Sequence, residues 1–285
     1  MPLIFTKSSA PVSAETKLQV FFDQAAEDYE QGKYDDALYC LTKVLALQPT
    51  HAEALENQGA ITSIILFTEK AAELYSNACT ENEPAIWEEL FRSALLYCEQ
   101  ALKIDPLNYT ALRRKYATLY QLAQHSDALL TIEAALNDTK LAQNDPIIYA
   151  DQASILNLLN RHQDAYESAM QSFALADKHE EDRSLVAYKA IIRALKKVND
   201  LEHALVWSRE ALMHYPEDRK LTDQRAELLS LLHRSAETNQ RVRTAGSELQ
   251  GSAAALSSVG ITARAEAGGG AGVSADAGVG ATLRL

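Results

Sequence analysis

Residues 32–49 read Gly-Lys-Tyr-Asp-Asp-Ala-Leu-Tyr-Cys-Leu-Thr-Lys-Val-Leu-Ala-Leu-Gln-Pro. Ala37, Leu41 and Val44 recur at spacings of four and three, which places them on one face of a helix. Alanine on that face lets a neighbouring helix approach closely, where a larger side chain would hold the pair apart. Gly32 ahead of the run marks a turn, and Pro49 behind it stops the helix so that another can begin. The stretch therefore predicts the second helix of a helix–turn–helix unit.

Related stretches recur. Phe91, Ala94, Cys98, Ala101 and Pro106 stand at the same offsets, as do His125, Ala128, Ile132 and Ala135. His162, Ala165, Ala169 and Ser172 follow, and then Leu201, Ala204, Ser208, Ala211 and Pro216. The core alanines Ala37, Ala94, Ala128, Ala165 and Ala204 are separated by 57, 34, 37 and 39 residues. Asn160 and Asn199 occupy the place of the turn glycine, a residue that also tolerates the left-handed conformation.

With Gly32, Tyr34, Ala37 and Pro49 in one copy and Gly59, Ala94, Ala101 and Pro106 in another, residues 18–217 resemble the tetratricopeptide (TPR) repeat family, whose period is about 34 residues. The fold expected is all-α, a solenoid of about five helix pairs. Stacked copies bury a common core that one pair cannot form alone, and Leu221, Leu228, Leu229, Leu231 and Leu232 mark residues 220–234 as the closing cap. The resemblance implies a right-handed superhelix with the first helices lining its concave face.

In this family that face commonly holds a peptide. By register it receives Asp23, Glu53, Glu56 and Asn57 from the first two copies and Arg113, Arg114 and Tyr120 from the third. Asp151, Ser154 and Asn157 come from the fourth, and Lys189, Arg193, Lys196 and Lys197 from the fifth. A groove graded from acidic to basic would orient a peptide and select its charge. The chaperone-tail clamp found in some relatives is matched only at Asn57 and Arg114. Phe22, Ala26 and Thr110 replace its other donors, so that activity is not expected.

The 57-residue interval exceeds 34 by 23, and continuous helical patterns over 52–78 and 85–103 predict a hairpin lengthened at about 64–90. About eleven extra residues per helix would project about 16 Å. Phe67, Leu74 and Tyr75 on one arm face Ile86, Trp87, Leu90 and Phe91 on the other. The preferred reading is that these residues hold the hairpin together. The alternative makes Trp87 and Phe91 an anchor for a partner.

Nine of the 11 glycines lie between 246 and 280, and the last aromatic residue is Tyr215. Residues 236–285 are accordingly expected to be a flexible Ala/Gly-rich tail and 1–14 a flexible N-terminus, bracketing a solenoid over 15–235. Val273 to Leu285 alternates at strand period, which leaves open a strand donated to a partner. A net charge of −12 argues against nucleic acid as partner, and no apolar run is long enough for membrane insertion. Residues 1–14 are not expected to act as a secretory signal, and no C-x-x-C pair occurs; Cys40, Cys79 and Cys98 suit a reducing, cytoplasmic setting.

The seven histidines are scattered, and no nucleophile–base–orienter set or metal-ligand spacing emerges, so neither enzyme activity, metal nor cofactor is expected. The sequence thus points to a scaffold or adaptor binding a peptide or protein segment in the groove. Two alternatives are a structural subunit that docks or self-associates through hairpin and tail, and a bacterial secreted effector whose tail carries an export signal.

Overall fold

In a computed structural model, residues 14–258 are described, and they form helices joined by short turns. The five pairs are α1 (Ala14–Glu30) with α2 (Tyr34–Leu47), α3 (Ala52–Thr80) with α4 (Pro84–Ile104), and α5 (Tyr109–Gln121) with α6 (His125–Asp138). After a single turn, α7 (Lys140–Gln143), come α8 (Pro146–Leu158) with α9 (His162–His179), and α10 (Leu185–Lys197) with α11 (Leu201–His214). The last helix, α12, runs from Arg219 to Ser258. No strand occurs among the described residues. The expectations for residues 1–13 and 259–285, including the strand-period and export readings, lie outside them.

The repeat is built as its alanines require. Ala37, Ala94, Ala128, Ala165 and Ala204 are all fully buried. So are the residues four and seven positions later in the second through fifth copies, from Cys98 and Ala101 to Ser208 and Ala211. Gly32, Ala123, Asn160 and Asn199 occupy one turn position, with φ of 74°, 57°, 60° and 63°. At each, the following N–H reaches back to a carbonyl five residues earlier: Lys33 to Asp28 at 2.8 Å, and Gln124, Arg161 and Asp200 to Leu119, Leu156 and Leu195 at 2.9 Å. This is the Schellman closure of a helix C-terminus. The next first helix is then capped by a side chain: His51, Asn108, Asp145 and Ser184 accept backbone N–H groups at the starts of α3, α5, α8 and α10.

The inserted residues are arranged differently from expectation. Phe67 faces Tyr97 and Tyr75 faces Phe91, which sets the antiparallel register of α3 and α4. The Gln121 amide at the end of α5 donates to the Tyr75 hydroxyl at 3.2 Å, so α3 passes the end of α5 by only the five residues to Thr80. The hairpin therefore projects about 8 Å, not 16 Å. α3 has 29 residues against 13 in α5, so with five of the extra 16 beyond the end of α5 the other 11 lengthen its N-terminal side, where Ala54 and Ile61 complete a core with Phe22, Ala25, Ala37, Leu41 and Val44. The α1–α2 turn consequently abuts later connections: Tyr29 donates to Asp105, the Asn108 amide donates to Tyr34 at 2.9 Å, and Gly32 lies against Leu141. Gly59 has open space around it and makes no close helix contact; the buried small residues of α3 are Ala54, Ala71 and Ala78.

Leu221 and Leu228 of α12 close the core of the last two pairs, while Leu229 is exposed. Asp218 and Glu227 pair with Lys189 and Lys196 of α10. Contrary to the flexible tail expected from 236, α12 continues to Ser258. Glu237, Gln240, Arg241, Ala245 and Ala253 to Ala255 favour helix enough to outweigh Gly246 and Gly251. Among the described residues, those of α12 from His233 onward form a unit separate from the solenoid, which ends at Leu232.

Candidate functional site: the groove between α5 and α8

Twelve positions ahead of the core alanine, the first and fourth copies carry Ala25 and Ala153, which are buried at close helix contacts. The third copy carries Tyr116 there. Its ring is 2% exposed, and its hydroxyl crosses to α8, donating to Asp151 Oδ2 at 3.0 Å. This bridge divides a groove into two chambers. One, a cavity of about 170 Å³, is lined by Tyr116, Tyr120, Asp151, Ser154, Ile155 and, from α10, Val186. The other, a cavity of about 420 Å³, is lined by Tyr109, Thr110, Arg113, Arg114, Tyr116, Ala117 and Asp151.

The α6–α8 connection carries three residues beyond the 34-residue period and holds the single turn α7. Asp145 there caps α8 through the Ile147 N–H at 2.8 Å, accepts the Tyr109 hydroxyl, and lies 3.9 Å from Arg113. Asp151 sits in this low-dielectric wall. Its removal from water, with the Asp145 charge adding to it, raises its pKa to about 6 against the pull of Tyr116 and Arg113. Burial likewise raises the Tyr109 and Tyr116 hydroxyls, so both remain protonated donors.

The residues expected on the concave face separate into groups. Arg113 and Tyr120 line the groove, and Arg114 lines it while its guanidinium stacks on the Tyr75 ring, 4.9 Å from the centroid. Asp151 and Ser154, also placed there by register, face the same space. Arg193 and Lys197 are exposed on α10, whereas Lys189 is held by Asp218 at 2.8 Å. Asp23 is half-buried and accepts the Gln19 amide at 2.9 Å. Together with Glu53 and Glu56 it stands on α1 and the N-terminal end of α3, which the offset carries away from α5. The acidic-to-basic gradient thus does not run along the α5–α8 groove.

Two assignments are corrected by burial. Asn57 is fully buried in α3, so it presents nothing to a ligand. Phe91 is also fully buried, packed edge-on by Tyr75 at 5.2 Å and Trp87 at 5.1 Å, so it holds the hairpin and is no anchor. Trp87 stays half-buried, with Ile86 exposed beside it. The sequence reading missed Tyr109, Tyr116, Asp145, Ile155 and Val186. The one signal for them was a tyrosine at position 116, where the first and fourth copies carry alanine.

Among the described residues, no group of three or more His, Cys, Asp or Glu side chains is placed to hold a metal ion, and no helix is long and apolar enough to cross a membrane. The groove offers two guanidinium groups, a carboxylate and an apolar lining.

No family model matches the sequence, and no curated protein does. The structure is similar to that of a tetratricopeptide repeat protein from Parabacteroides merdae, with 14% identity, a TM-score of 0.47, and 82% of this chain and 80% of that one covered. A thermophilic TPR protein of Thermus thermophilus is similar at 19% identity and a TM-score of 0.41, with 76% of this chain and 99% of that one covered. YrrB, described as a TPR protein with an unusual peptide-binding site, is similar at 17% identity and a TM-score of 0.40, with 70% and 87% covered. The class defined by the chain's own geometry is an all-α array of helix pairs with TPR-like turns and core alanines.

Proposed function

We propose that this chain is a non-enzymatic protein-interaction scaffold that holds a peptide segment of another protein in the α5–α8 groove. The carrying observation is the groove itself. Tyr109, Arg113, Arg114, Tyr116 and Tyr120 of α5 oppose Asp151, Ser154 and Ile155 of α8 across open space. Buried aromatic and arginine side chains of this kind supply most of the affinity at protein interfaces. The surrounding repeats fix the groove's walls, so a ligand does not have to order them.

The test is affinity capture of partners by the wild type and by an Arg113→Glu, Arg114→Glu, Arg193→Glu variant, after circular dichroism has shown that the variant is folded. Loss of a partner in the variant alone supports the groove. Retention of every partner sinks it and directs attention to Trp87 and Ile86 at the hairpin.

A further inference from the structure

The two chambers differ in chemistry, and that difference specifies a ligand. The smaller is walled mainly by Tyr116, Tyr120, Ile155 and Val186, with Asp151 and Ser154 completing its lining, and its volume suits one side chain. The larger contains Arg113 and Arg114 side by side on α5, with the Thr110 hydroxyl one turn earlier. Arg114 has a ring face as its partner, and Arg113 stands 3.9 Å from Asp145, beyond hydrogen-bonding distance. Both guanidinium groups therefore keep N–H donors for an incoming anion. Asp145 is already engaged by Tyr109 and by the α8 backbone, and the exposed Arg193 and Lys197 add positive charge on α10.

Building on the groove reading, we propose that the site recognises a bipartite acidic peptide motif: an aliphatic side chain in the smaller chamber and a carboxylate held by Arg113 and Arg114 in the larger. The spacing follows from the helix. The arginine chamber centres near position 113 of α5 and the apolar chamber near 118, a separation of about 7.5 Å at 1.5 Å per residue. An extended peptide advances about 3.4 Å per residue, so the two anchors stand two or three residues apart. Between them the Asp151 carboxylate is placed to accept a backbone N–H of the ligand. A lysine or arginine at the anionic position would meet the two guanidinium charges and is disfavoured against Asp or Glu.

The experiment is selection of a random dodecapeptide phage library on the full chain, followed by anisotropy titration of labelled synthetic copies of the enriched peptides. The expected enrichment is an aliphatic residue and an Asp or Glu separated by one or two positions. Val186→Asp should weaken such peptides about tenfold or more, and Arg113→Gln with Arg114→Gln should do the same. Changing the peptide's Glu to Gln should cost a similar factor on the wild type and almost nothing on the double-glutamine variant.

Enriched peptides that lose binding with Val186→Asp but lack the acidic residue would overturn the motif while leaving the groove as the site. Peptides indifferent to all these substitutions, or no enrichment at all, would overturn both. Circular dichroism of each variant guards against loss through unfolding.

Discussion

Ala123 stands in the left-handed region with φ of 57°, at the position filled by Gly32, Asn160 and Asn199 in other copies. A non-glycine residue there carries about 1–2 kcal/mol of backbone strain. Replacing Ala123 with glycine removes that strain but enlarges the conformational freedom of the unfolded chain, which costs about 0.4–1 kcal/mol. The side chain is exposed, so no packing is lost. The net gain expected for Ala123→Gly is about 0.5–1 kcal/mol, a rise in melting temperature of about 1–4 °C for a domain of this size. Gly32→Ala should have the opposite sign, because φ is 74° and the new Cβ would lie 3.4 Å from Leu141 Cδ1. Urea unfolding followed by circular dichroism at matched temperature measures both. If Ala123→Gly lowered the midpoint, or Gly32→Ala raised it, the shared left-handed turn would not be what closes these first helices.

Asp151 gives a pH signature. Its pKa is raised from 3.8 to about 6 by burial, so the native state binds more protons than the unfolded state between these values, and stability falls as pH rises through that window. Asp151→Asn should abolish this fall and stabilise the protein at pH 7 by at most about 3 kcal/mol, read as the difference between urea midpoints at pH 4 and pH 7. Arg183 ties the fourth and fifth copies together, pairing with Asp177 at 2.8 Å and Glu210 at 2.7 Å over the Phe173 ring. Arg183→Ala should cost about 1–2 kcal/mol in the same assay, a value discounted because the side chain is partly exposed. Phe91→Ala should destabilise the array by about 3–5 kcal/mol through the cavity it leaves, whereas a mere surface anchor would show little change in unfolding midpoint.

The repeat was legible because its signals are local. Gly32, Asn160 and Asn199 announced their turns, and the five alanines announced the faces that bury. Where the sequence misled, the answer depended on long-range register. A surplus of 23 residues gives no hint of which end of a helix it lengthens; only the level of Tyr75 against Gln121 settles that, and it moves Glu53 and Glu56 away from Arg113. Asn57 and Phe91 carry patterns that suit either a surface or a core, and the neighbouring helix decides. Lys189 and Lys196 looked like open groove charges because Asp218 and Glu227, which pair with them, lie about 30 residues further along the chain. The groove itself escaped notice for a related reason, since Tyr116 and Asp151 sit 35 residues apart and meet only when two repeats stack.

The most direct test of the scaffold account is site-specific photo-crosslinking in cells, with a benzophenone amino acid replacing Tyr120 in the groove or Leu130, 63% exposed on α6. The account predicts a discrete crosslinked partner from position 120, diminished by Arg113→Gln with Arg114→Gln, and none from position 130. Crosslinks from position 130 with none from position 120 would contradict it and place the binding surface on the second helices.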